Sequence, residues 1–169
     1  MNVIIHDLME RQFETLFPHV GKDTCVICDT GRIENCIGCF GCWIKTPGKC
    51  VLKDGYEHMG ELLSKSDEVV IISRCCYGGY SPFVKNVLDR SISVLLPFFV
   101  TRKDETHHKH RYKKGFKLSV YFYGDAISPS EMETAKKLVR ANCINLYVPQ
   151  YKVRFYKSME DLCQKEGIQ

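Results

Sequence analysis

The chain has 169 residues, 44% of them hydrophobic and 26% charged, with a formal net charge of +4; that length suits one domain with a real core, and the composition is that of an ordinary globular protein. No apolar run is long enough to cross a bilayer, and the opening MNVIIHDLME lacks the basic-then-apolar order of a secretory signal. The expected location is therefore the cytoplasm, where thiols stay reduced and clustered cysteines point to metal or redox chemistry before disulfides.

In chain order, Asn2–His6 reads as a short strand. Asp7 is placed to cap a helix, with Glu10 three residues on as in a capping box, and Met9, Phe13, Leu16 and Phe17 recur at helical spacing. Pro18 and Gly21 end that helix, and Thr24–Cys28 is a second strand. A cysteine-rich loop at about 34–53 follows as an insertion in the single domain 1–169. Asp54 then reads as the cap of a helix carrying Tyr56, Met59, Leu62 and Leu63 on its inner face.

Val69–Ser73 is a run of apolar, mostly β-branched residues, the signature of a strand buried on both faces. Ser81 with Pro82 starts the next helix, whose stripe is Val84, Val87, Leu88 and Leu95. Phe116–Tyr123 is a fourth strand, Ser128, Pro129 and Glu131 start a helix with Met132, Ala135, Leu138 and Val139 inside, and Gln150–Tyr156 is an edge strand before a short helix from Ser158. Strict β-α alternation predicts a parallel sheet with helices on both faces, wound in the order 2-1-3-4-5. In such sheets ligands bind beyond the carboxyl ends of the strands where the winding reverses, which selects the loops after strands one, three and four.

The loop after the central strand, RCCYGGYS, supplies Gly78 and Gly79 for close backbone approach, the rings of Tyr77 and Tyr80 for stacking, and the free N–H groups of a helix start at Ser81. Cys75 and Cys76 belong to the same loop; a redox-active thiol is one reading of either, and a small buried hydrophobe is the favoured one, while Cys143 and Cys163 read as packing residues. Cys25 and Cys28 sit in a strand with two residues between them, which puts their side chains on opposite faces and argues against joint ligation. The spacing Cys36-x2-Cys39-x2-Cys42-x7-Cys50 leaves three readings open. Three thiolates at intervals of three reach three corners of a [4Fe–4S] cube, with a fourth completing it; zinc normally recruits two separated C-x2-C pairs; or the cysteines pack with Phe40 and Trp43 as a metal-free subdomain.

CIGCFGCWIKTPGKCVLKD followed by SDEVVIISRCCYGGYSPFVKNVLDR resembles the flavodoxin-like NAD(P)H-dependent FMN reductase family, in particular its iron–sulfur flavoprotein branch, over about residues 36–96. The loop Y-G-G-x-S-P with a helix K-x-x-x-D-R carries the likeness. The resemblance implies an FMN whose isoalloxazine lies against Cys75, Cys76, Tyr77, Gly78, Gly79, Tyr80 and Ser81, bordered by Tyr123, Gly124 and Asp125. It also implies a [4Fe–4S] cluster on Cys36, Cys39, Cys42 and Cys50, an NAD(P)H or ferredoxin-type donor, and a homodimer or homotetramer. The departure lies in HDLMERQFETLF. The family's Gly-Ser loop, which wraps the flavin phosphate at a helix N-terminus, is replaced by a segment with no glycine or serine and with Asp7 and Glu10 in its place. A flavin-free binding or regulatory protein that kept the fold is the alternative expectation.

The basic excess lies in residues 101–115, with six Lys/Arg against two acids and eighteen of each in the remainder. This segment, with His107, His108 and His110, reads as a solvated surface loop; the sharper reading is a site for a nucleotide phosphate or an acidic protein. It lacks the interleaved aromatics of a nucleic-acid binder.

Overall fold

The computed structural model describes residues 1–166. Five parallel strands form the main sheet: β1 (Asn2–His6), β2 (Thr24–Ile27), β3 (Glu68–Arg74), β6 (Lys117–Tyr123) and β7 (Gln150–Tyr156), in the spatial order β2-β1-β3-β6-β7. Counting parallel strands alone, this is the expected 2-1-3-4-5. Helices α1 (Glu10–Leu16) and α6 (Met159–Glu166) cover one face, and α3 (Met59–Lys65), α4 (Pro82–Arg90) and α5 (Pro129–Asn145) cover the other. Strand β3 shows why its sequence is apolar at every step: Val69 and Ile71 enter the core under α3, α4 and α5, while Val70 and Ile72 enter the core under α1 and α6.

Local signals hold where the cap is short-range. Ser81 accepts from the Val84 N–H at 3.5 Å with Pro82 at the first helical position, and Ser128 and Glu131 form a full capping box on α5. Two cap assignments fail because each acid has distant partners. Met9, not Asp7, precedes α1, and its N–H donates to Gln12 Oε1 at 3.1 Å. Asp54 pairs with Arg90, and the helix expected after it begins only at Met59.

The alternation is also interrupted. After α4 the chain makes a 3-10 turn at Ile92–Val94 and then an antiparallel hairpin, β4 (Leu95–Arg102) and β5 (Glu105–His110). Leu95 therefore starts a strand and does not extend the α4 stripe. The 101–115 segment is largely ordered strand and turn, not a free loop. Its tip, Lys103 and Asp104, has φ of 49° and 65°, the doubly left-handed turn that matches strand twist. The loop between β2 and β3 contains one helical turn, α2 (Gly41–Ile44). Cys143 is buried as expected; the side chains of Leu16 and Cys163 lie outside the described residues.

Candidate functional site

The crevice beyond β1, β3 and β6 is closed by a carboxylate. Asp7 Oδ2 accepts from the Arg74 N–H at 2.8 Å, and Asp7 Oδ1 accepts from the Tyr123 hydroxyl at 3.1 Å. One side chain thus ties together the carboxyl ends of three strands. The backbone donors of the same loop are also taken. The Asp7 N–H donates to the Ile72 carbonyl at 3.4 Å, the Leu8 N–H to His6 Nδ1 at 3.2 Å, and the Met9 N–H to Gln12 Oε1. His6 is buried and stacks on Phe13 with ring centroids 4.1 Å apart. Burial lowers its pKa to about 4, so the ring is neutral. A phosphate cradle offers free N–H groups at the start of a long helix. Here the N–H groups of Asp7, Leu8 and Met9 are occupied, a carboxylate stands beside them, and α1 is only seven residues long. The FMN phosphate does not fit this loop.

The loop after β3 is a tight turn. Cys76 and Gly79 exchange backbone hydrogen bonds at 2.9 and 2.8 Å around Tyr77 and Gly78, whose φ values are 53° and 77°. A Cβ on Gly78 would stand 2.7 Å from Thr134 Cβ, so glycine lets the turn seat against α5. Tyr77 is 94% exposed and free to stack. Tyr80 is not: it is buried against Phe122, centroids 5.4 Å apart, with burial pushing its phenol pKa up. Cys75 and Cys76 are half-buried, short of the full burial expected, and burial raises the Cys75 thiol. Ser81 serves the helix cap and donates its N–H to Ser73 Oγ at 2.9 Å.

Across the crevice, Tyr123 accepts the Cys75 N–H at its carbonyl at 2.9 Å. Burial, then the charge of Asp7, raise its phenol pKa. Gly124 and Asp125 turn away from Tyr77 toward β7, lining a separate cavity of about 260 Å³ with Lys157 and Lys165.

The cysteine loop packs on the flank of α4. The Cys36 N–H donates to Asn86 Oδ1 at 3.2 Å. Cys36, Cys39, Cys42 and Cys50 all line one cavity of about 300 Å³, walled by Ile37, Phe40, Trp43, Leu52, Asp89 and Ile92. Left-handed residues Gly38 (φ 62°) and Phe40 (φ 55°) fold the loop back on itself, and the Gly41 N–H points at Cys39 Sγ at 3.4 Å. Burial raises the Cys42 thiol, and the charges of Cys50, Cys36 and Cys39 add to this, as befits sulfurs sharing one space. All four are free thiols. Among the described residues no three Cys, His, Asp or Glu side chains are already drawn to coordinating distance of one point. The cavity lies beside Asp89, seven residues along α4 from the crevice loop, or about 10 Å at the helical rise.

The base of this loop is clamped by a pair that its sequence alone does not reveal. Arg90 meets Asp54 in a two-pronged ion pair at 2.7 and 2.8 Å, with both side chains buried. Arg90 also donates to the Glu34 carbonyl at 2.8 Å, and Asp54 accepts the Glu34 N–H at 2.8 Å. Asp54, and after it Cys50, raise the Arg90 pKa. The Arg90 guanidinium holds the Asp54 carboxyl far below the usual carboxylate range.

No protein-family model matches this sequence, and no curated protein does. Solved structures do. An NAD(P)H:quinone oxidoreductase from Methanothermobacter marburgensis superposes with a TM-score of 0.60 at 12% identity, over 99% of this chain and 95% of that one. An FMN-dependent NADH-azoreductase from Bacillus anthracis, in complex with FMN, gives 0.52 at 13% identity over 91% and 85%. An NADH:FMN oxidoreductase in its apo form gives 0.53 at 12% over 92% and 74%. With the strand order above, these likenesses make the fold flavodoxin-like.

Proposed function

We propose that this chain is a redox protein, an oxidoreductase or electron-transfer protein supplied by a reduced nicotinamide nucleotide or a ferredoxin-type carrier. In this reading Cys36, Cys39, Cys42 and Cys50 hold a metal centre, and a [4Fe–4S] cluster is the group that suits four thiolates at this spacing. The observation that carries it is that all four cysteines line one cavity. When bound, such a cluster takes up and gives back single electrons. The chain supplies the rest. The cysteines would hold such a cluster as thiolates, with the Gly41 N–H facing the Cys39 sulfur and the buried Arg90 at the base of the loop supplying a fixed positive charge. Ile37, Phe40 and Trp43 make the walls apolar.

A second reading, an NAD(P)H-dependent FMN oxidoreductase, is favoured by the exposed Tyr77 on its glycine turn at the end of the central strand and by the FMN-dependent proteins that share the fold. It needs the phosphate to be held away from the β1 loop, whose donors are satisfied internally.

Anaerobic purification with absorbance, iron, sulfide, zinc and flavin analysis tests both. The expected result is a broad brown absorbance with about four irons and four sulfides per chain, abolished by Cys42→Ser. Zinc without sulfide defeats the cluster, resolved flavin bands move the second reading to first place, and a colourless, metal-free and flavin-free protein removes the redox assignment altogether.

A further inference from the structure

The cysteine loop and the β4–β5 hairpin meet as one surface. Trp43 Nε1 donates to the Leu95 carbonyl at 3.0 Å, and the Trp43 ring lies 4.8 Å from the His108 ring, which in turn lies 4.6 Å from Phe99. Phe40 stacks on the other side of Trp43 at 5.5 Å. Within and beside this stack, Ile37, Phe40, Ile44, Phe98 and Phe99 are each more than half exposed. Single exposed apolar residues are ordinary, whereas several on two segments packed together mark a contact surface. The cysteine cavity opens within it, walled by Ile37 and Phe40.

Charge says what contacts it. Residues 36–53 contain Lys45, Lys49 and Lys53 and no acid, and residues 101–115 contain six basic residues and two acids. The two segments together therefore carry nine Lys/Arg against two acids, leaving fifteen against eighteen in the rest of the chain. The positive charge of the whole protein resides in the segments that build the apolar surface, and the remainder is net negative. A two-fold interface between copies would lay this surface on itself and bring like charges together.

We propose that this surface docks an acidic protein, with the exposed aromatic and aliphatic side chains forming the dry centre and Lys45, Lys49, Lys53, Lys103 and Lys109 the basic rim. That the partner is an electron carrier rests on the proposed redox role; the docking surface does not.

The probes are a purified acidic ferredoxin and a purified acidic flavodoxin, each titrated calorimetrically into the full chain at about 0.02 M and about 0.5 M salt, since screening removes rim attraction. Binding of at least one probe at low salt is expected, weakened at least about tenfold by high salt, by Lys45→Glu/Lys49→Glu and, separately, by Phe99→Ser. Lys165→Glu, on α6 across the sheet, is expected to leave binding unchanged. These positions lie on the surface, so the variants keep the fold, which circular dichroism checks. Failure of both probes to bind overturns the proposal, as does binding indifferent to the surface variants. A dimer in sedimentation that Phe99→Ser dissociates would give the surface to a second copy and overturn it too. Metal content measured on the same samples separates the two proposals. A metal-free chain that binds a probe keeps the surface and loses the centre; a metal-loaded chain that binds neither keeps the centre and loses the surface.

Discussion

Replacing Asp54 by Asn isolates a buried charge. Arg90 is fully enclosed and Asp54 is 5% exposed, so after the change the guanidinium keeps its charge with only carbonyls and a neutral amide as partners. Breaking a buried pair from one side costs about 3–5 kcal/mol. The lower part of that range is expected, because the amide oxygen still accepts one hydrogen bond. For a domain of this size each kcal/mol moves Tm by about 2–4 °C, so the melting point falls by about 10 °C. Removing both charges in Asp54→Asn/Arg90→Met relieves the stranded cation, so the double variant is expected to lose at least about 1 kcal/mol less than the two single losses combined. Urea unfolding of the four proteins of the cycle measures this. A single-variant cost under about 1 kcal/mol, or full additivity, refutes the reasoning. The sign with pH is also set: Arg90 depresses the Asp54 pKa, so the pair's contribution is full above the ordinary carboxylate range and fades as acid protonates Asp54. The same variant weakens the hold on the Glu34 N–H at the start of the cysteine loop, so on the proposed reading metal retained per chain falls with stability.

His6, with a pKa lowered from 6.5 to about 4, stays neutral while the unfolded chain takes up a proton, so stability declines as pH drops from about 6.5 toward 4. Between pH 7 and pH 5 wild type is expected to lose about 2 kcal/mol more than His6→Asn in urea midpoints; equal slopes would refute this. Wild type is expected to bind FMN no more tightly than riboflavin in fluorescence titrations, while Asp7→Ser favours FMN by about tenfold; a strong wild-type preference for FMN would show that the β1 loop does receive a phosphate. Gly78→Val is expected to cost about 3 kcal/mol, combining left-handed strain with a 2.7 Å approach to Thr134. Gly31→Ala, at φ 69° with nothing within 4 Å, costs only the strain, about 1 kcal/mol; equal thermal shifts for the two would contradict the packing claim.

What could be read from the chain was what its neighbours in sequence decide. Val69–Ser73 announces a doubly buried strand, and Ser81 and Ser128 cap helices using atoms three residues away. Asp7 and Asp54 look locally like caps as well, and Asp54 does accept the Tyr56 N–H at 3.1 Å, but the partners that fix them lie 67, 116 and 36 residues away in sequence, at Arg74, Tyr123 and Arg90. Nothing local distinguishes the two situations. The β4–β5 hairpin was hidden for another reason: ETHHKH has almost no apolar alternation, and the turn uses Lys103–Asp104 where Asn-Gly would have signalled it. Its order comes from Trp43 and Tyr147, whose hydroxyl donates to the His108 carbonyl at 3.0 Å. The four cysteines were legible as a group because spacing alone confines them, but the wall they share with Asp89 and Ile92 depends on how α4 packs.

The β1 loop has a thermodynamic consequence. A ligand stabilises a protein only by binding the native state in preference to the unfolded one. Where loop donors wait for an anion, the apo form carries unsatisfied groups and the holo form melts higher. Here Asp7, Leu8 and Met9 have spent their N–H groups within the chain, and the Asp7 carboxylate joins β1, β3 and β6 by itself. The sheet therefore reaches its full stability in the absence of any phosphate, and its melting point should be indifferent to added nucleotide at this end of the molecule. On the proposed reading, dependence on a bound group falls instead on the four-cysteine loop, which lies outside the sheet.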